Sequence, residues 1–256
     1  MQELLTSHRS IRQFKDTPIP DELLNEMLYA GLRGSSSGNM QTWSVIVTRD
    51  PKMKEKLFVA HREQEMVRQA PVVLTFCADV FRMREWIRVN NSKQSFDDLL
   101  GFLTGAVDAI ISAQNITLAA EAAGLGICYM GTTWWAANEL IELLELPKYV
   151  FPVTSLVVGY PAETPALRDR LPLDLIVQQE KYVRLSDEEI RARHAEREVN
   201  AWNRYTANAE LAQRLADNGI TKVTDFYTSK FKYSKELHYE ISAMLLETLK
   251  KQGFWL

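Results

Sequence analysis

The run DDLLGFLTGAVDAIISAQNITLAAEAA, residues 97–123, reads as one long helix. Apolar or small residues recur at Leu99, Leu103, Ala106, Ile110, Ala113 and Ala120, and on the opposite side at Phe102, Ala109 and Ile116. A helix that is apolar nearly all round is buried from several sides. In a chain of 256 residues that makes it a central helix, or one buried against another subunit. Asp97 and Asp98 favour its start electrostatically, and Gly124 ends it.

Outward from this helix the chain alternates short apolar runs with helical patterns. Val45-Ile46-Val47, the run VVLTFCA at 72–78 and Thr154-Ser155-Leu156-Val157-Val158-Gly159 read as strands. They are near-continuous rather than alternating, the pattern of a sheet covered on both faces. Pro20 opens a helix over 21–32 with Leu23, Leu24, Met27, Leu28 and Leu32 at helical spacing. Asp50 caps a second, with Pro51 at its first position, running to about Gln69. Residues 125–133 read as a Gly-rich strand and turn, 134–146 as a helix stopped by Pro147, and Leu175-Ile176-Val177 as an edge strand. From Ser186 the character changes. Ser186 and Glu189 have capping-box spacing and open a charged helix to about Asn203. A polar stretch leads to a terminal helix from Ser234, with Lys250 and Lys251 in its last turn and Gly253 beyond. These patterns divide the chain into a core, 1–185, and a helical extension packed on it, 186–256.

Composition narrows the function. The chain is 46% apolar and 25% charged with a net charge of −3, which argues against a nucleic-acid partner. The apolar run at 99–128 is interrupted by Asp108 and Glu121, and the N-terminus lacks a signal sequence, so the expectation is no membrane span and a cytoplasmic location. Cys77 and Cys128 sit in apolar surroundings as inert thiols. His8, His61, His194 and His238 are scattered, with no metal-ligand spacing.

Four patches remain. Residues 34–43, Gly-Ser-Ser-Ser-Gly-Asn-Met-Gln-Thr-Trp, read either as an ordinary turn or as a ligand-contacting loop. His8-Arg9-Ser10-Ile11-Arg12 offers cations and a hydroxyl for a phosphate or polar ring, or is a solvated basic face; Arg9 and Arg12 would share a face if the segment were helical. In Gly124-Leu125-Gly126 and Gly131-Thr132, a helix C-cap accounts for Gly124 better than a tight turn accounts for Gly131. Arg168-Asp169-Arg170, stiffened by nearby prolines, suits a phosphate dianion or is a surface ion pair.

In this order the patches resemble the nitroreductase family of FMN-dependent oxidoreductases, closest to the branch of major oxygen-insensitive nitroreductases and bacterial flavin reductases. The resemblance rests on His8-Arg9-Ser10-Ile11-Arg12-Gln13-Phe14, Ser36-Ser37-Gly38-Asn39-Met40-Gln41-Thr42-Trp43, residues 124–131, and Gly159-Tyr160-Pro161 with Arg168-Asp169-Arg170-Leu171-Pro172. It implies an α+β fold, with a mostly antiparallel central sheet surrounded by helices, in an intertwined homodimer. It implies FMN as cofactor and NADPH or NADH as co-substrate. It also implies ping-pong hydride transfer to small-molecule acceptors such as nitroaromatics, quinones or free flavin. The implied FMN contacts are His8, Arg9, Ser10 and Arg12; Ser36, Ser37 and Asn39, from the partner subunit; Gln69; Met130, Gly131 and Thr132; and Arg168 and Arg170. No protein acid or base is needed for catalysis, and Arg9 or Arg12 would stabilise reduced flavin. Trp134-Trp135-Ala136-Ala137 departs from the branch, where an Arg follows the Gly turn. That departure keeps two alternatives open: a flavin-binding carrier or sensor without nicotinamide turnover, and a member with specialised reductive chemistry.

Overall fold

The computed structural model describes residues 2–255. The chain divides into two units, Met1–Leu167 with Ile241–Leu256, and Arg168–Glu240. In the first, α1 (Gln2–Thr6) and α2 (Asp21–Leu32) precede β1 (Trp43–Thr48). Then come α3 (Pro51–Ala60), α4 (Met66–Gln69), β2 (Val72–Asp79), α5 (Phe81–Val89), α6 (Leu99–Ala122), β3 (Gly126–Tyr129), α7 (Ala137–Leu143) and β4 (Val150–Gly159). The four strands form one sheet in the order β1-β2-β4-β3, and every pairing is antiparallel.

Both faces of this sheet are covered, as the unbroken apolar runs require. On one side Leu74, Phe76, Leu156 and Val158 pack with Leu24 and Met27 of α2 and with Ala106, Ala109, Ala113, Ile116 and Ala120 of α6. On the other, Val73 and Val157 pack with Leu57 and Phe58 of α3, Met66 and Val67 of α4, and Leu140 of α7. Small residues on the inner face of α6 bring its axis close to the sheet. Ile116, wholly buried there, contributes roughly 2–3 kcal/mol. The outer face is different: Leu99, Leu100, Leu103, Val107 and Ile110 are all exposed. By length and composition α6 could cross a membrane, but its inner face is buried against the sheet and α2.

The second unit holds α8 (Leu173–Ile176), α9 (Asp187–Thr206), α10 (Ala209–Asp217) and α11 (Val223–Tyr227), and the chain re-enters the first unit within α12 (Lys235–Lys251). Ser186 and Glu189 form the expected capping box on α9. The small core here is Leu215, Ile220 and Phe226, with Trp202, Tyr205 and Tyr227 against it. Residues 241–256 are thus part of the first unit rather than of an extension starting at 186. The Gln252 amide donates to the carbonyls of Pro147 and Val150, Thr248 bonds Asn138, and Phe254 is buried among Phe102, Tyr149 and Phe151.

Several local expectations change. Residues 173–176 are a helical turn, not an edge strand, because Pro172 and Asp174 favour a helix start. The helix after Asp50 stops at Ala60, where Arg62 and Glu63 take left-handed φ of 60° and 56°. The polar stretch before Ser234 contains α10, capped by Asn208 accepting from the Leu211 amide, and α11.

Candidate functional site

Residues 8–13 are not helical, so Arg9 and Arg12 do not share a helix face. The segment is pinned to the β3–β4 side of the sheet. The Ile11 amide donates to the Ile127 carbonyl, and Ile11 lies so close to Gly126 that a Cβ there would sit 2.5 Å from it. Lys15 and Ala162 exchange backbone bonds with Tyr160 and Gln13, and one Glu163 oxygen accepts the amides of Arg12 (2.6 Å) and Gln13 (3.1 Å). The side chains then part ways. His8 Nδ1 meets Glu121 at 2.5 Å, and Arg9 donates to the carbonyls of Ser7 and Pro165. The Arg12 guanidinium has no partner among the described residues. Ser10 and Arg12 flank the buried Cys128. Burial pushes that thiol up, with the Arg12 charge and a bond with Ser10 opposing.

After Cys128 and Tyr129 the chain makes a short 3-10 turn, Gly131–Thr133. The Met130 amide donates to the Ser155 carbonyl; Thr133 Oγ1 bonds the Met130 carbonyl (2.8 Å) and Ser155 Oγ (3.1 Å). Met130 is buried, whereas Gly131 is exposed and a Cβ there would meet nothing within 4 Å. Gly124 needs its left-handed φ of 78° to end α6; Gly131 has no such φ and no close neighbour. Neither its backbone angle nor its neighbours therefore require glycine at 131. Beside it opens a cleft of about 290 Å³ lined by Ile110, Tyr129, Met130, Gly131, Thr133 and Trp134, among others. Thr132 is held from behind. His61 Nδ1 lies 2.9 Å from Thr132 Oγ1, and the Gln64 amide donates to Thr132 Oγ1 (3.1 Å) and to the His61 carbonyl (3.0 Å). Burial pushes the His61 imidazole down to about 4.

The Ser-rich loop is organised by a residue the sequence had marked only as an interruption. Asp108, buried on α6, accepts Ser36 Oγ (2.9 Å), the Ser37 amide (2.9 Å), and the Thr42 amide (3.1 Å) and hydroxyl (2.9 Å). Ser36 Oγ also accepts the Gln41 amide at 2.7 Å. Arg82 clamps the other side through the carbonyls of Gln41 and Trp43. Gly38, Asn39 and Gln41 take left-handed φ of 54–56°, which turns the side chains of Ser37 and Asn39 outward, exposed.

Ile11 shares a buried cluster with Cys128 and Met130, and Ser10 and Arg12 flank Cys128, whereas the Ser-rich loop lies elsewhere. The loop precedes β1 and the turn follows β3. Both leave the sheet in the same direction but from opposite edges, three strand spacings and so at least about 14 Å apart. Gln69 ends α4 exposed and makes no side-chain bond to the turn; Gln64 does. Arg168 and Arg170 are exposed in the second unit, where Arg170 donates to the carbonyls of Arg168 and Asp169, and Asp169 pairs with Arg204 at 3.5 Å. A lone carboxylate on an apolar helix face must find donors, and that signal would have singled out Asp108. His61, Gln64 and Glu163 carried no signal, because their partners lie far along the chain.

A nitroreductase family model matches residues 5–160. The FMN reductase (NAD(P)H) of Bacillus subtilis strain 168 is 35% identical over 261 residues, covering 98% of this chain and 96% of its own length. The oxygen-insensitive NADPH nitroreductase of Salmonella typhimurium strain LT2 is 34% identical over 98% of this chain and 97% of its own. A crystal structure from Bacteroides fragilis NCTC 9343 matches with a TM-score of 0.89 at 37% identity, covering 98% of each chain. The antiparallel α+β architecture and the full-length sequence match agree, and the chain belongs to the nitroreductase family.

Proposed function

We propose that this protein is an FMN-dependent NAD(P)H oxidoreductase working by a ping-pong mechanism, with nitroaromatics, quinones or free flavin as acceptors. The observation that carries the reading is the exposed Gly131, whose Cβ position is open, in the turn that follows Cys128, the strand residue on which the unpaired Arg12 guanidinium acts. Full-length relatives named as an FMN reductase and an NADPH nitroreductase support it. Bound FMN would supply hydride acceptance from a nicotinamide and electron delivery to the acceptor, so the protein's task is orientation and electrostatics.

In this reading Arg12, with Ser10, holds the negative charge of reduced flavin, because Arg9 is committed to the Ser7 and Pro165 carbonyls and His8 to Glu121. The turn 130–132 presents backbone and the Thr132 hydroxyl, with Gln64 rather than Gln69 as the nearby amide. Arg168 and Arg170 are assigned to the phosphate on the sequence pattern.

A homodimer completes the site. The exposed stripe of Leu100, Leu103, Val107 and Ile110 supplies an apolar interface, and Ile110 also lines the cleft beside Gly131. A second copy would bring Ser36, Ser37 and Asn39 to a turn that their own chain holds on the far edge of the sheet. Two buried free cysteines fit a reducing compartment such as the cytoplasm.

The test is spectroscopic. Purified protein is expected to be yellow, to bleach when NADPH or NADH is added without air, and to regain colour with a quinone or nitroaromatic. A colourless protein that takes up no FMN overturns the reading; tight FMN binding with no bleaching overturns the nicotinamide part. Sedimentation of the Val107→Glu variant should show a monomer with weakened FMN retention.

A further inference from the structure

His61 is a fully buried histidine whose Nε2 has no hydrogen-bond partner among the described residues. Among the described residues its one side-chain contact of this kind is Thr132 Oγ1, at 2.9 Å from Nδ1. The protons of this small network can be placed by elimination. The His61 carbonyl can only accept, so the Gln64 atom 3.0 Å from it is the amide nitrogen, and the same nitrogen donates to Thr132 Oγ1. One lone pair of that hydroxyl is thereby occupied. Two arrangements remain for His61. If Thr132 donated its proton to Nδ1, the imidazole proton would sit on Nε2, a buried N–H with no acceptor. If Nδ1–H donates to Thr132, Nε2 is a bare lone pair, and a buried acceptor without a partner is tolerated better than a buried donor without one. The second arrangement fills both lone pairs of the Thr132 oxygen and leaves its O–H as the one unused group.

We infer that His61 and Gln64 together fix Thr132 as an obligate hydrogen-bond donor toward an acceptor atom of the bound flavin, with His61 a positioning residue locked in the Nδ1–H tautomer. This rests on the FMN reading above. A threonine that is free to rotate can donate or accept; this one can only donate, because two donors already point at its oxygen. Depression of the imidazole basicity by burial supports the arrangement, since the ring stays neutral and its tautomer stable at neutral pH.

The test has two arms, both on the full-length FMN-loaded protein. In the first, nitrogen NMR of protein with labelled histidine, the His61 signals being identified by their loss in His61→Phe, reads the tautomer directly. Nδ1–H is expected, and Nε2–H or a doubly protonated ring at pH 7 overturns the inference. In the second, FMN dissociation constants are measured by fluorescence. Thr132→Val and His61→Phe should each weaken binding by about tenfold, the double variant no more than Thr132→Val alone, and His61→Asn, whose amide can stand in for Nδ1–H, should restore it. Additive losses, or no rescue by asparagine, overturn the positioning role. If the wild-type chain binds no FMN, the functional reading falls and the flavin-directed role of Thr132 with it; the tautomer arm, repeated on that chain, then still decides the His61–Thr132 arrangement.

Discussion

Two polar turns leave the sheet in the same direction and are built in opposite ways. The loop at 36–42 is held by one buried carboxylate: Asp108 takes four hydrogen bonds, and Ser36 uses its hydroxyl both to donate to Asp108 and to accept from Gln41. The turn at 130–133 is held by neutral groups, its own Thr133 with Ser155, His61 and Gln64 from two other parts of the chain. A loop organised around a single charge fails as a unit when that charge is removed. A turn organised by many neutral bonds loses one bond at a time, and can leave chosen groups unused for a ligand.

The largest effect should come from that single charge. Asp108→Ala leaves four donors facing a cavity, and denaturant unfolding should show a loss of about 4 kcal/mol. Removing any one partner of the 130–133 turn should cost about 1 kcal/mol. The turn is instead sensitive to acid through His61. The folded imidazole titrates near 4 and an unfolded one near 6.5, so the unfolded chain takes up the proton first. This contribution is present in full above about pH 6.5 and is lost as the pH falls toward 4, by about 3 kcal/mol. Unfolding curves at pH 7.5 and pH 5 should differ more for the wild type than for His61→Phe, and equal pH dependence in the two would break this part of the comparison.

Next in size is an effect on the ligand without one on the fold. Because a Cβ at position 131 meets nothing and the backbone is not left-handed, Gly131→Ala should leave stability unchanged or raise it by up to about 1 kcal/mol. Gly131→Val should weaken FMN binding about tenfold, or ~1.4 kcal/mol, by occupying space kept for the cofactor. A stability loss with unchanged FMN affinity would mean that glycine serves the turn after all.

The same contrast explains what could be read from the chain. Local chemistry was legible: Asp50 caps α3, Ser186 and Glu189 form their box, Gly124 ends α6, and the runs at 45–47, 72–78 and 154–159 became antiparallel strands of one sheet. The suspicion that a C-cap explains Gly124 but a turn does not explain Gly131 is matched by their backbone angles and surroundings. What was not legible depends on distant pairing. Asp108 and Ser36 are separated by 72 positions, and His61 and Thr132 by 71. Gln69 drew attention because it adjoins β2, yet helical α4 turns it to solvent while Gln64, outside the helix, reaches Thr132. The helix α10 was hidden because its core, Leu215 with Ile220 and Phe226, forms only with residues on either side of it.

The smallest effect gives the finest separation between holding a loop and touching a ligand. Ser36 and Ser37 are adjacent and chemically identical, but only Ser36 has its hydroxyl engaged, while Ser37 is bound to Asp108 through its amide and presents its hydroxyl outward. Ser36→Ala should therefore lower stability by about 1–2 kcal/mol, since it removes one bond to a carboxylate and one from a backbone amide. Ser37→Ala keeps every bond of the loop and should stay within about 0.5 kcal/mol of wild type. If the loop of one chain reaches the cofactor of its partner, Ser37→Ala should weaken FMN binding in the dimer without lowering stability, and mixing it with a Gly131→Val chain should regenerate one intact site per heterodimer. Failure to regenerate it would place the loop and the turn in separate functions.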